Sequence, residues 1–314
     1  MQKKNTPINY ESAIHFSAIP EEKIQPFLER ANAFREQYKQ NTVFTCGIIN
    51  AKSGLCSQDC AFCAQSIHHQ TGVTTYPLYD QKTLVEQAIG FADAGATHFS
   101  IVTSGFQLNS NEMDTICNAM INIKKKTNLT LCASLGTISA HKANQLKDSG
   151  VTNYHHNLET AHSFFDKICT THNYNDDIKT IHQAKSAGLK VCCGGIMGLG
   201  ESWEQRVELA FLLKKLDIDC IPINFLNPIS GTKLENQPLL SSLEALKCIA
   251  LYRLIHPEKD IVVCGGREIT LKENQSRLFD AGANGLMIGN YLTTPGQQIE
   301  KDLSMIQDLG LQIS

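Results

Sequence analysis

The chain is poor in everything that holds a protein to a membrane or a nucleic acid. Its 314 residues carry 28 Lys and Arg against 31 Asp and Glu, a net charge of −3. No basic field is therefore available to grip a phosphate backbone or an anionic lipid surface. No apolar run approaches the roughly 20 residues that cross a bilayer. The opening Met1-Gln-Lys-Lys-Asn-Thr-Pro7 lacks the apolar core of an export signal. Repeats, low-complexity tracts and long linkers are missing too. The expectation is a cytoplasmic globular protein with no nucleic-acid or membrane partner. Cysteine, in contrast, is abundant, at twelve residues. In a reducing compartment that number favours metal ligation or buried thiols over disulfides.

From about residue 44 onward, short β-like runs alternate with longer helical patterns. The strands read as Phe44–Asn50, Thr97–Thr103, Leu129–Ser134, Thr152–Asn157, Leu189–Ile196, Asp219–Phe225, Asp260–Cys264 and Gly285–Gly289. Between them, Gln81–Ala94, Asn111–Lys126, Ala140–Ser149, Asp176–Ala187, Ser202–Leu216, Ser242–Ile255 and Lys272–Ala281 carry apolar residues at helical spacing. Four of these segments run into Gly95, Gly150, Gly188 and Gly282, and glycine readily takes the left-handed conformation that ends a helix. Eight β/α units in succession predict an α/β fold of the closed (β/α)8, TIM-type kind. An open doubly wound sheet is the structural alternative. Residues 8–41 read as a charged helical stretch, which divides the chain into an N-terminal extension over 1–41 and a barrel over 42–314.

The expected interior is polar. Thr130, Cys132 and Ser134 alternate along the third strand, and on the fourth Tyr154 and His156 share one face while His155, Asn157 and Glu159 share the other. A barrel packed only for stability fills its centre with Val, Ile and Leu. These residues predict a cavity that holds something.

The most informative string is Cys56-Ser-Gln-Asp-Cys60-Ala-Phe62-Cys63-Ala-Gln-Ser66. Thiolates ligate iron–sulfur clusters, and three closely spaced thiols can cap three irons of a cubane and leave the fourth open. A zinc ribbon needs a second cysteine pair, and a redox dithiol needs only one. Phe62 and the small residues around it suit a loop wrapped tightly on a cluster. Without a ligand, three thiols in eight residues of a surface loop would be readily oxidised.

This loop, placed just after the first strand, resembles that of the radical S-adenosylmethionine (SAM) superfamily. Seven more strings, in order, narrow the resemblance to the biotin synthase family: Ile48-Ile-Asn-Ala-Lys-Ser-Gly54, Tyr154-His-His-Asn-Leu-Glu-Thr160, Thr170-Thr-His-Asn-Tyr174, Gly194-Gly-Ile-Met-Gly-Leu-Gly-Glu201, Pro222-Ile-Asn224, Gly265-Gly-Arg-Glu268 and Leu292-Thr-Thr-Pro295. The resemblance covers about residue 42 to the C-terminus. It implies an enzyme whose 4Fe–4S cluster gives an electron to bound SAM. The 5′-deoxyadenosyl radical so formed takes hydrogen from two carbons of dethiobiotin in turn, and sulfur from an auxiliary iron–sulfur cluster closes the ring. It also implies a homodimer, and a reductase, flavodoxin or ferredoxin as electron donor. The rival readings are another radical SAM enzyme, such as a hydrogenase-cofactor maturase, and a non-catalytic iron–sulfur scaffold.

Residue by residue, the resemblance gives the radical-generating cluster to Cys56, Cys60 and Cys63, with Phe62 beside it. It gives Asn157 and Glu159 to the ribose of SAM, His172 to a place near the methionine carboxylate, and Gly194 and Ile196 to the adenine. His155 and Asn224 fall to the ureido ring of the substrate, and Thr293 and Thr294 to its carboxylate. The auxiliary site departs from the better-known pattern of one thiol from each of three strands plus an arginine. Cys132, Cys192 and Arg267 match, but Ser100 stands at the remaining thiol position, and a hydroxyl is a poor ligand for soft iron–sulfur chemistry. Cys46, on the first strand, is the expected replacement. The expected set is then Cys46, Cys132 and Cys192, with Arg267 donating hydrogen bonds to cluster sulfur; a buried ion pair is the plain alternative for Arg267. Three thiols favour a 4Fe–5S cluster over 2Fe–2S. Cys193 is expected to face away from Cys192, and Cys264 is a rival ligand. Cys117, Cys169, Cys220 and Cys248 read as small buried hydrophobes. Lys52, His68, His69 and Trp203 receive no role.

Overall fold

The structure, a computed structural model, describes residues 6–314. Its strands are β1 (Thr42–Lys52), β2 (His98–Thr103), β3 (Thr130–Ser134), β4 (Asn153–His155), β5 (Lys190–Cys192), β6 (Gly195–Met197), β7 (Cys220–Phe225), β8 (Asp260–Val263), β9 (Gly285–Ile288) and β10 (Gln312–Ile313). Each pairs with its neighbour in parallel, and β1 bonds to both β2 and β9. That closure makes a barrel and excludes the open sheet. β5 pairs with β4 and β7, and β6 pairs with β7. The two are halves of one stave, so eight staves form the ring. The expected single strand Leu189–Ile196 is interrupted at Cys193 and Gly194. A Cβ on Gly194 would stand 1.9 Å from the Pro222 carbonyl oxygen, so only glycine lets the chain pass β7 this closely.

Strand alternation builds two different surfaces. Phe99, Ile101, Leu131, Tyr154, Val191, Ile221, Ile223, Ile261 and Leu286 are almost fully buried in the large apolar core. Their chain neighbours Ser100, Cys132, Asn153, Cys192, Cys220, Pro222, Val262 and Met287 face the inside of the barrel. Period-two geometry forces this division. The helices cover the apolar side, so the fold is stabilised outside the ring and the interior is free to be polar. Gly95, Gly150, Gly188 and Gly282 end their helices with φ of 88°, 97°, 76° and 104°, as their positions suggest.

The N-terminal helices Tyr10–Ser17 and Gln25–Lys39 bury Phe16, Leu28, Ala31 and Phe34 against the surface of the barrel helix Ser242–Ile255. Lys247 of that helix donates to the Ser17 and Ile19 carbonyls at 2.7 and 2.6 Å. Two features go beyond the sequence reading. The segment Lys272–Ala281 is not one helix but a 3-10 turn, Lys272–Asn274, and a short helix, Arg277–Asp280. The C-terminus adds a helix, Ile299–Asp308, and β10, which pairs with the start of β1.

Arg253 ties the last two staves to the helix layer. It is wholly buried and donates to the carbonyls of Gly282 (2.7 Å), Pro257 (2.9 Å) and Lys259 (2.7 Å) and to Asn284 Oδ1 (2.9 Å). Removing the guanidinium leaves buried acceptors unpaired, at roughly 1–3 kcal/mol each. Arg253→Met is expected to lower the unfolding free energy in urea by about 3 kcal/mol or more. A loss below about 1 kcal/mol would show that these bonds do not hold the staves.

Candidate functional site

A cavity of about 460 Å³ occupies the barrel and opens at the C-terminal ends of the staves, where barrel enzymes carry their chemistry. Its mouth is built by the loop after β1. Ser53 and Tyr76 exchange backbone bonds of 3.1 Å, Cys56 N donates to the Gln65 carbonyl at 3.0 Å, and Ile67 N returns to the Cys56 carbonyl at 2.9 Å. Gly54 at φ 75° and Leu55 at φ 53° turn the chain into the loop. A left-handed leucine, 76% exposed, is strained backbone of the kind that collects at functional sites. Cys56, Cys60 and Phe62 line the cavity. Cys63 lies close behind: burial pushes its thiol up to about 11, with charge on Cys56 adding to the rise.

Asp59 latches this loop to the segment after the short helix His162–Phe165. Its carboxylate accepts from Thr170 N at 2.8 Å, Thr170 Oγ1 at 2.7 Å and Thr171 Oγ1 at 3.2 Å. Ala61 N adds a bond to the Ile168 carbonyl at 2.8 Å. These bonds fix the thiols from two sides, a role the sequence did not disclose.

Polar groups fill the middle of the cavity wall. His155 Nε2 lies 2.9 Å from Asn157 Oδ1, and Asn157 Nδ2 donates to Glu159 Oε2 at 3.3 Å. Glu159 sits at φ 61°, and its carbonyl accepts from Ile196 N at 2.8 Å. Burial raises its carboxyl to about 8. His172 has an acceptor at each ring nitrogen: Gln58 Oε1 at 2.9 Å and Asp177 Oδ2 at 3.2 Å. Both bonds form only when both nitrogens carry protons. Burial pulls this imidazole down, but its hydrogen bonds to Asp177 and Cys169 outweigh it and hold the ring protonated up to about 10. Asp177 also binds His156 Nε2 at 2.8 Å. Asn224, Thr293 and Thr294 line the same space. Asn224 is aimed by Gly265 N, which donates to its Oδ1 at 3.1 Å. Ile196 and Phe62 pack with Ile168, Leu199 and Leu226 in a small apolar cluster. Gly194, in contrast, does not line the cavity; its missing side chain serves the contact with Pro222, which corrects its assignment to a cofactor ring.

Cys46, Cys132 and Cys192 face the cavity from β1, β3 and β5, as expected. Cys220 and Cys264 join them, so the reading of Cys220 as a packing residue is corrected; period two from Pro222 and Asn224 was the signal. Cys169 also lines the cavity, near the mouth, while Cys193 is buried in the outer core. Burial, then the neighbouring Cys192 sulfur, pushes Cys46 up to about 12. Burial and the charges of Cys46 and Cys192 raise Cys132 and Cys264 as well. Among the described residues no Lys or Arg lines this space; the charge of Arg267 favours a thiolate at Cys264 but is outweighed by burial and the charges of Cys46 and Cys192.

Arg267, expected to donate to cluster sulfur, is not among the residues that line the cavity. Gly266 at φ 79° turns the chain out of the ring, and Arg267 is fully buried behind it. Its guanidinium pairs with Asp302 at 2.6 Å and with Gln275. It is therefore a structural ion pair.

The donor set fits iron–sulfur centres. Among the described residues, no three His, Cys, Asp or Glu side chains close around a single ion; thiols of a cluster stand apart because each meets a different iron. The Ser100 Oγ and Thr103 Oγ1 atoms are buried without a partner and belong to residues lining the cavity. Such hydroxyls are costly unless a bound group meets them.

Comparison with known proteins agrees with this geometry. Residues 52–213 match the model of the radical SAM superfamily, and residues 222–312 match that of the biotin and thiamin synthesis associated domain. The biotin synthase of Syntrophus aciditrophicus is 52% identical over 300 residues, covering 96% of this chain and 92% of its own. That of Nitratidesulfovibrio vulgaris (strain Miyazaki F) is 49% identical, covering 97% and 86%. Among solved structures, methylornithine synthase (PylB) superposes with a TM-score of 0.86 at 17% identity, covering 99% of this chain and 95% of its own. The hydrogenase maturase HydG of Carboxydothermus hydrogenoformans gives 0.85 at 15%, covering 100% and 77%. Those two likenesses establish the fold alone, whereas the relatives at half identity over nearly the whole length decide the family. The chain belongs to the biotin synthase family of radical SAM enzymes.

Proposed function

We propose that this chain converts dethiobiotin to biotin with two iron–sulfur centres at opposite ends of one cavity. The observation that carries the reading is the arrangement of thiols: three in the mouth loop and a second group deep among the staves, with a hydrogen-bonding wall between. Cys56, Cys60 and Cys63 would hold the 4Fe–4S cluster. Cys46, Cys132 and Cys192 would hold the auxiliary one, with 4Fe–5S favoured over 2Fe–2S because thiols are plentiful and the arginine is absent from the chamber. When bound, these centres and SAM supply an electron, a carbon radical and the sulfur.

The chain's own residues bind, orient and exclude water. Asn157 and Glu159 are placed to accept and donate to ribose hydroxyls. Ile196 and Phe62 offer an apolar face to the adenine. His155 donates from Nε2 to Asn157, and burial keeps the ring neutral, so its Nδ1 is left as an acceptor for a ureido N–H. Asn224 retains a free lone pair and an N–H for the same group. Thr293 and Thr294 suit the substrate carboxylate. The boundary at residues 41 and 42, a homodimer, a flavodoxin, ferredoxin or reductase donor, and a cytoplasmic location complete the reading on the family resemblance. Anaerobic incubation with dethiobiotin, SAM and reductant tests it. Biotin and 5′-deoxyadenosine together support the reading, and 5′-deoxyadenosine alone would favour another radical SAM enzyme.

Two outcomes are specific. Cys46→Ala is expected to keep 5′-deoxyadenosine formation and abolish biotin; an unchanged biotin yield would remove Cys46 from the auxiliary set. The second concerns His172, assigned to the methionine carboxylate of SAM. It faces Asp177 on the following helix, Cys169 on its own loop, Glu159 beyond β4, Gln58 on the mouth loop, and the Phe106 and Phe165 rings. Its raised pKa contributes stability that is complete below about 6.5 and is lost as pH rises toward about 10. The His172 contribution to SAM affinity should therefore stay level in the parent from pH 6.5 to 8, any slope there coming from Glu159, whose carboxyl is raised to about 8. Asp177→Asn removes the main support of the charge, so its affinity should fall over that interval, by about tenfold at pH 8. A variant whose affinity profile runs parallel to the parent's over this interval would contradict the assignment.

A further inference from the structure

We propose that Cys220 is a further thiolate ligand of the inner cluster, beside Cys192 on the neighbouring stave. The proposal rests on the reading of the inner thiols as a cluster site and extends their number.

Cys220 opens β7, and its Cα is the register partner of Cys192 on β5. Neighbouring parallel strands lie about 4.8 Å apart, and inward-facing partners project the same way. The two side chains therefore stand side by side on adjacent staves. Both residues line the cavity, while Ile221 turns outward into the core. Around Cys220 the wall is apolar: Val262, Phe44 and Met287 pack in the same small cluster. The nearest carboxylate on the facing stave, Asp260, is engaged by Lys39 at 2.7 Å and by Asn284 Nδ2 at 2.7 Å. Arg267 is engaged by Asp302.

A cluster held by Cys46, Cys132 and Cys192 would thus find two further soft donors at this side of the chamber, Cys220 and Cys264, of which Cys220 is the register partner of a ligand. Cys264 is a weaker choice. It follows the last residue of β8 and lies outside the register that pairs β8 with β7 and β9.

The full chain with Cys56, Cys60 and Cys63 all changed to Ser, reconstituted anaerobically, isolates the inner centre. Adding Cys220→Ser should make iron leave to a chelator at least about tenfold faster and should change the electron paramagnetic resonance spectrum of the reduced protein. Adding Cys264→Ser instead should change neither. Unfolding midpoints measured on the iron-free forms separate a lost ligand from a damaged fold: equal midpoints with faster release support the proposal. Unaltered release and spectrum in Cys220→Ser would overturn it while leaving the inner cluster intact. Failure of the three-serine protein to bind iron at all would overturn the inner-cluster reading and this assignment with it.

Discussion

A thiolate taken out of water must have a positive partner, and among the described residues no lysine or arginine lines the inner chamber of this barrel. Cys46, Cys132, Cys192, Cys220 and Cys264 face this one cavity. Burial and the charge of neighbouring sulfurs push the protons of Cys46, Cys132 and Cys264 on rather than off, and the neighbouring Cys192 sulfur and burial do the same for Cys220. Left alone, such thiols are inert. A metal centre supplies the missing charge and is the kind of partner for which soft sulfur donors are suited. The rest of the molecule follows from making such a chamber and keeping it shut.

Keeping it shut is the task of the fold. Because strand side chains alternate, the residues that pack the helices are never those that line the cavity, and stability and chemistry are drawn from separate faces of the same staves. Phe99, Leu131 and Ile221 are buried against the helices, while Ser100, Cys132 and Cys220 beside them turn inward. The mouth is held differently. Loops there have no sheet to fix them, so Asp59 collects hydrogen bonds from Thr170 and Thr171, tying the outer thiols to the far rim. His172 is set by acceptors on two sides, which gives the cavity a positive group at its mouth and leaves its interior without one.

Much of this was legible in the sequence because it is local. The C-x3-C-x2-C spacing, the glycines after helices and the alternating β/α pattern are all written within a few residues. Cys46 was found by its place on the first strand. Cys220 was legible in principle, two residues before Pro222 and four before Asn224 on one strand face, but it was read as packing. Arg267 could not be placed from its string. One left-handed residue, Gly266, decides whether the next side chain enters the barrel or leaves it. Asp177 lies on a helix whose rotation about its axis only packing sets, so its bridge between His156 and His172 was hidden. The pairing of β10 with β1 depends on a contact across some 270 residues of chain, which no local pattern records.

The central claim is that two metal centres share one cavity. Iron and sulfide analysis with Mössbauer spectroscopy on protein isolated without air addresses it most directly. Two cubanes predict about eight irons per chain in two resolvable environments. About four irons, all lost together when Cys56, Cys60 and Cys63 are replaced, would contradict the account.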